Sequence, residues 1–139
     1  MTVSESIIEW LKTFSSVEHG NMEQIDTERQ SPEVDSYSIV RAPVQNVKHY
    51  LSGKKEYTDH YALQARLSNQ SDADRIDNNS FGEALENWVK EKDHLGEYPE
   101  LADAIVRSVG ITTPFYVGRT ETNNSVYQMT IAIKYEKEK

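Results

Sequence analysis

The sequence predicts an α+β domain: an antiparallel or mixed sheet of four to five strands, covered on one face by two main helices. Three observations predict it. Residues 57–67 and 127–135 alternate apolar and polar side chains with a period of two, as a half-buried strand requires. Residues 7–14 and 81–89 instead repeat their apolar residues three and four apart, the spacing of one helix face. The segments follow one another in the order α, β, β, β, α, β, β with no linker, repeat or low-complexity stretch between them. At 139 residues the chain has the size of one domain, and the apolar faces of the first helix, the middle helix and the last strand would each be stranded without the others. Residues 1–139 are therefore expected to share a single core.

The first helix is expected over about residues 4–16. Thr2 and Glu5 stand three apart as a capping box, and Ile7, Ile8, Leu11 and Phe14 follow on one face. Trp10 lies off that line, which predicts a partly exposed ring at an interface. From Val17 to Val34 glycine, proline and charges leave too few apolar residues for a packed element, so a loop is expected, with one short strand around Met22–Ile25. Tyr37 and Ile39 alternate with Ser36 and Ser38 in a strand over 35–42 that Pro43 ends. Beyond it, Val44, Val47, Tyr50 and Leu51 lead to a turn at Ser52-Gly53-Lys54.

In the long alternating run that follows, Tyr57, Asp59, Tyr61, Leu63, Ala65 and Leu67 face the core, and Thr58, His60, Ala62, Gln64, Arg66 and Ser68 face away. Asn69–Asn79 is crowded with Asn and Asp. Ser80 and Glu83 then form a second capping box before Phe81, Ala84, Leu85, Trp88 and Val89, a helix that ends before Gly96 with Pro99 beyond. Leu101, Ile105, Val109 and Ile111 predict a short turn leading into a strand at Phe115 and Val117, interrupted near Pro114. Thr120–Ser125 is a polar turn, and the last strand sends Tyr127, Met129, Ile131, Ile133 and Tyr135 inward.

Composition narrows the function. Fifteen basic against 23 acidic residues give a net charge of -8, and the Lys/Arg-rich stretches are limited to Lys54-Lys55 and to Lys134–Lys139, where Glu136 and Glu138 intervene; without concentrated positive charge to release counterions from a phosphate backbone, specific nucleic-acid binding is not expected. With no cysteine there is no thiol nucleophile and no demand for an oxidising compartment, which makes the cytoplasm the expected place of synthesis. Met1–Ser4 lacks the features of a secretory signal and Ile7–Phe14 is too short and polar to span a bilayer, so a soluble protein without a membrane partner is expected.

Motifs that carry chemistry fail on specific positions. Gly53-Lys54 is followed by Lys55 and lacks the upstream glycine of a P-loop, no serine sits in Gly-x-Ser-x-Gly, and the six glycines form no GxGxxG. Asp72, Asp74 and Glu83 match three ligand positions of a calcium loop, but Ile76 replaces an oxygen ligand and Asp77 stands where the turn needs glycine. Carboxylates favouring a helix N-terminal dipole explain them better. No two of His19, His49, His60 and His94 have the i, i+4 spacing of a zinc site, and His49 and His60 meet only if their strands are neighbours in the right register. No catalytic, cofactor-binding or metal residues are therefore assigned, no cofactor is expected, and the chain reads as non-enzymatic. Asp59 on the core face is the exception that needs explaining. It either marks where the strand leaves the core or needs a partner such as a tyrosine hydroxyl.

The order of several phrases resembles a family of small structural proteins of tailed phages and prophages of Gram-positive bacteria, the minor capsid or tail terminator (tail completion) proteins. The phrases are Tyr37-Ser38-Ile39 with Pro43, Lys48-x-Tyr50-x-x-Gly53, the strand ending Leu63-x-Ala65-Arg66, Asn79-Ser80-Phe81-x-Glu83-x-Leu85-x-x-Trp88-Val89, Gly96-x-Tyr98-Pro99-x-Leu101, and Tyr127-x-x-x-Ile131-x-Ile133-x-Tyr135. The resemblance implies a virion protein, assembled in the host cytoplasm, that closes the tail tube as a ring, commonly a hexamer. Its partners would be copies of itself, the major tail protein and the head–tail connector, with DNA only as passing cargo. An acidic ring wall suits that passage, since like charge keeps the duplex from sticking. The alternative within the virion is a minor capsid or connector component on the head side. More distant alternatives are a small enzyme built on Asp59, His60 and a tyrosine, or a host binding module. The segments expected to meet partners are the 17–34 loop, the Ser52–Glu56 turn and the Thr120–Ser125 turn, with His60, Gln64 and Arg66 on the open sheet face.

Overall fold

A computed structural model describes residues 2–16, 20–21, 25–27 and 36–137. Helix α1 (Val3–Leu11) leads to two short strands, β1 (Ser15–Ser16) and β2 (Gly20–Asn21), which pair with each other, and then to β3 (Ile25–Thr27). The hairpin β4 (Ser36–His49) and β5 (Lys55–Ser68) precedes helix α2 (Asp72–Leu95), and a second hairpin of β6 (Ile105–Thr120) and β7 (Asn124–Lys137) follows it. The five-stranded sheet has the order β3-β4-β5-β7-β6, antiparallel throughout except for the parallel β3/β4 pair. The α+β class and the mixed sheet follow the expectation.

Burial follows the alternation. Tyr61, Leu63 and Ala65 of β5 and Met129, Ile131 and Ile133 of β7 point into one core with Ile7 and Leu11 of α1 and Leu85 and Val89 of α2. Burying each large apolar side chain stabilises the fold by about 1.5–3 kcal/mol. Rings join the layers: Trp10 packs on Trp88 (4.7 Å between centroids), Phe14 meets Phe81 edge-on (5.9 Å), and Phe115 stacks on Tyr127 (5.1 Å).

Several boundaries depart from the periodicity. Helix α1 stops at Leu11, because the Thr13 hydroxyl donates to the Trp10 carbonyl (2.6 Å) and the next backbone bonds tighten, Thr13 N to Trp10 O at 3.1 Å and Phe14 N to Leu11 O at 3.0 Å. Pro43 does not end β4. The register shifts between Arg41, opposite Tyr61, and Gln45, opposite Asp59, so the proline sits in a bulge and the strand continues to His49. Helix α2 starts at Asp72, two turns before the expected cap at Ser80, with Ser71 as its cap accepting from Asp74 N (3.1 Å); Ser80 and Glu83 lie inside the helix. Its other end is as expected, at Gly96 with φ +72° and Glu97 N bonded to Lys92 O (2.9 Å). Of the short strand expected around Met22–Ile25, residues 22–24 lie outside the described residues; the strand that is described is Ile25–Thr27.

Strand β6 is one continuous element of 16 residues, and its register slips four times against β7, at 106/108, 111/113, 113/116 and 117/119. Each slip breaks the period of two, which hides the strand from a periodicity reading. The bulges aim Phe115 at the core, where Gly82 of α2 leaves room: a Cβ at that position would collide with the Phe115 ring. Helix α2 also takes up backbone N–H groups of this outer strand. Glu86 Oε1 accepts from Phe115 N (2.7 Å), and Asp93 Oδ1 accepts from Val109 N (3.0 Å) and from the Tyr98 hydroxyl (2.9 Å).

Candidate functional site

The bulge in β4 builds the most polar feature of the core. Asp59 is 1 % exposed on the helix-covered face of β5. Its Oδ2 accepts from the Tyr135 hydroxyl (2.9 Å) and its Oδ1 from Gln45 Nε2, while Arg41 approaches Oδ2 at 3.9 Å. Gln45 also reaches the Tyr135 oxygen at 3.4 Å. Tyr57 stacks on Tyr135 (5.4 Å between centroids), and the group borders a cleft of about 290 Å³ beside Thr2, Val3 and Ser4 at the start of α1. The tyrosine partner anticipated for Asp59 is therefore present. Gln45 and Arg41 are not legible as partners, since only the register slip around Pro43 brings Gln45 opposite Asp59. The signal was the proline itself, a residue that in a strand marks a bulge as readily as an end.

The polar atoms of the group hold one another in place. Burial, with the Asp59 hydrogen bond next, pushes the Tyr135 phenol far above its ordinary range, so it remains a donor. Both Asp59 oxygens are engaged in holding β4, β5 and β7 together. His60 points to the opposite face, beside Ala132 of β7, and Thr58-Asp59-His60-Tyr61 is split between the two sides of the sheet. His49 pairs with Lys55 at the far end of the same hairpin, away from His60; His94 is on α2, and His19 lies outside the described residues. Asp72 and Asp74 occupy the first turn of α2, where Asp72 pairs with Arg75 and Asp74 accepts from the Ser68 hydroxyl (2.7 Å), and Glu83 is further along the same helix. Among the described residues no group of three or more His, Asp or Glu could hold a metal ion.

The surfaces expected to meet partners separate into two kinds. Of the open-face residues, His60 and Gln64 are half-buried and Gln64 Nε2 donates to Gln128 Oε1 (3.2 Å), but Arg66 is 6 % exposed and withdrawn. Its guanidinium donates to Glu121 and Asn124, both at 2.6 Å, and Asn69 Nδ2 donates to Ser125 Oγ (2.8 Å). The Thr120–Ser125 turn is thus tied down against the end of β5. The β4–β5 turn is different. Tyr50 N bonds Lys54 O (2.9 Å), Gly53 N bonds Tyr50 O (3.0 Å), and Gly53 takes φ +89°, so the turn is well formed, yet it leaves Leu51 fully exposed with Val47 and Tyr50 partly so. The 17–34 loop is described only at residues 20–21 and 25–27.

Trp10 is buried rather than exposed. Its Nε1 donates to Glu97 O (2.9 Å), fixing the segment after α2 against α1, and between them runs a mainly apolar groove of about 310 Å³ lined by Trp10, Tyr98 and Pro99. Among the described residues no helix is long and apolar enough to cross a membrane. Neither a scan against protein-family models nor a search of curated proteins finds a match to this chain.

Proposed function

We propose that this chain is a non-enzymatic virion assembly protein, the subunit of a tail terminator or head–tail joining ring that caps the tail tube and docks to the connector. The observation that carries the reading is the placement of exposed apolar side chains at several separate places: Val47, Tyr50 and Leu51 beside the β4–β5 turn, Ile105 at the same end on β6, Tyr116 and Val117 towards the other end, and Ile76 and Leu95 on α2. Ring closure joins two different surfaces of neighbouring subunits, and apolar side chains exposed at more than one place suit it. The phrases that carry the phage resemblance fall on β4 and the turn after it, β5, α2 and the segment after it, and β7.

Electron microscopy of the purified protein mixed with tail tubes tests the proposal. Rings at tube ends are the expected result, and a chain that binds no tube end and forms no oligomer at high concentration overturns it. Cross-linking in assembled particles separates the two virion positions, because a terminator contacts the major tail protein and a head-side component does not.

A further inference from the structure

We infer that the β4–β5 turn of one copy seats in the groove between α1 and residues 97–100 of the next, a head-to-tail contact between two copies of this chain. The inference deepens the ring reading and rests on it for the existence of neighbouring copies, but it needs no tube or connector.

The turn has the properties of an anchor. Leu51 is fully exposed, on a turn whose two backbone hydrogen bonds already hold its shape, so little further order is lost when it binds. Around it, Lys48 lies over the Tyr50 ring (5.3 Å), Lys54 reaches Glu136 (3.0 Å), and Lys55 follows at the start of β5. In a chain of net charge -8, this short basic segment is a local reversal.

The groove is its complement. Its walls are the Trp10 ring, Tyr98 and Pro99, and its rim carries Glu9 and Glu100, with Glu9 sharing its charge with the exposed Lys12 at 3.6 Å. The buried Ser6 lines it, with a hydroxyl that has no hydrogen-bond partner among the described residues, and a backbone group of an incoming turn would supply one. An apolar tip with a basic collar matches an apolar groove with an acidic rim, and complementary charge fixes the orientation of such a contact. Within one chain the two do not meet, since Leu51 is fully exposed. A contact between different patches repeats from copy to copy and closes into a ring where the rotation allows.

The absence of native cysteine permits a direct test. A Leu51→Cys/Glu100→Cys double variant, mildly oxidised at high concentration and again in the presence of tail tubes, is expected to give a ladder of disulfide-linked oligomers. Mixing the two single variants is expected to give a one-to-one dimer and nothing larger. Leu51→Lys, at a site too exposed to disturb folding, is expected to weaken association at least about tenfold in sedimentation velocity. No ladder under either condition overturns the contact, as does a Leu51→Cys single variant that dimerises as readily as the mixture. Rings of Leu51→Lys on tube ends would also overturn it while leaving the ring reading intact. A ladder in solution without any tube binding would leave the contact standing and remove the tail role instead.

Discussion

Replacing the Tyr135 hydroxyl by hydrogen takes a donor from a carboxylate that water does not reach, and buried groups left short of a partner cost about 1–3 kcal/mol. Tyr135→Phe is expected to lower unfolding stability by that amount in urea titration at pH 7. The same bond has a pH signature. The folded phenol holds its proton more tightly than the unfolded one, so its contribution is complete below the unfolded value of about 10 and is lost as pH rises beyond it. A melting series from about pH 8 to 11 is expected to show wild type losing stability above about pH 10 more steeply than Tyr135→Phe. His60, one residue from Asp59 but on the other face, makes the contrast: His60→Ala is expected to change stability by less than about 0.5 kcal/mol, and a large loss of function at unchanged fold would revive a catalytic role.

Between elements, the approach of α2 to β6 depends on Gly82. Alanine in a helix normally gains about 1 kcal/mol over glycine. Here its methyl would collide with the Phe115 ring, an overpacking that costs about 1–3 kcal/mol. Gly82→Ala is expected to destabilise in denaturant unfolding, and Gly82→Ala/Phe115→Leu to recover part of the loss in a double-mutant cycle. That contact is invisible in the sequence for the same reason that β6 is. Strands β5 and β7 pair without a slip over 14 residues, so their alternation reads straight through to burial and even exposes Asp59 as a residue in need of a tyrosine. The four slips of β6 and the bulge at Pro43 change the pairing partners without any change in composition, so real strand reads as turn. The start of α2 is hidden differently. Asn78 is buried and donates to Ser68 O (2.8 Å), a tertiary bond that makes an Asn-rich segment helical against its propensity, although Ser71 with Asp74 is a readable cap.

At the scale of the whole molecule, Glu136 ties together the sheet end from which the β4–β5 turn projects. It accepts from Arg107 of β6 (2.8 Å) and pairs with Lys54 (3.0 Å), and the hydrogen bond from Arg107, then that from Lys54, hold its carboxyl below the ordinary range. A depressed carboxyl contributes stability above its unfolded value of about 4.3 and loses it as pH falls through the folded value. Wild type is therefore expected to be more stable than Glu136→Gln at pH 7, with the gap shrinking as pH falls below about 4 and, at pH 7, narrowing in high salt, as urea midpoints would show. The bulges of β6 act at the same scale on the protein's history in solution. The longest unslipped stretch of that outer strand is Ser108–Ile111, and at the opposite edge β3 covers only Tyr37–Ile39 of β4, whose register shifts between Arg41 and Gln45. Amyloid zippers are built from flat runs of about six or seven residues, longer than the unslipped stretch of β6. The slips of β6 thus make that edge a poor template for strand-by-strand pairing with another chain.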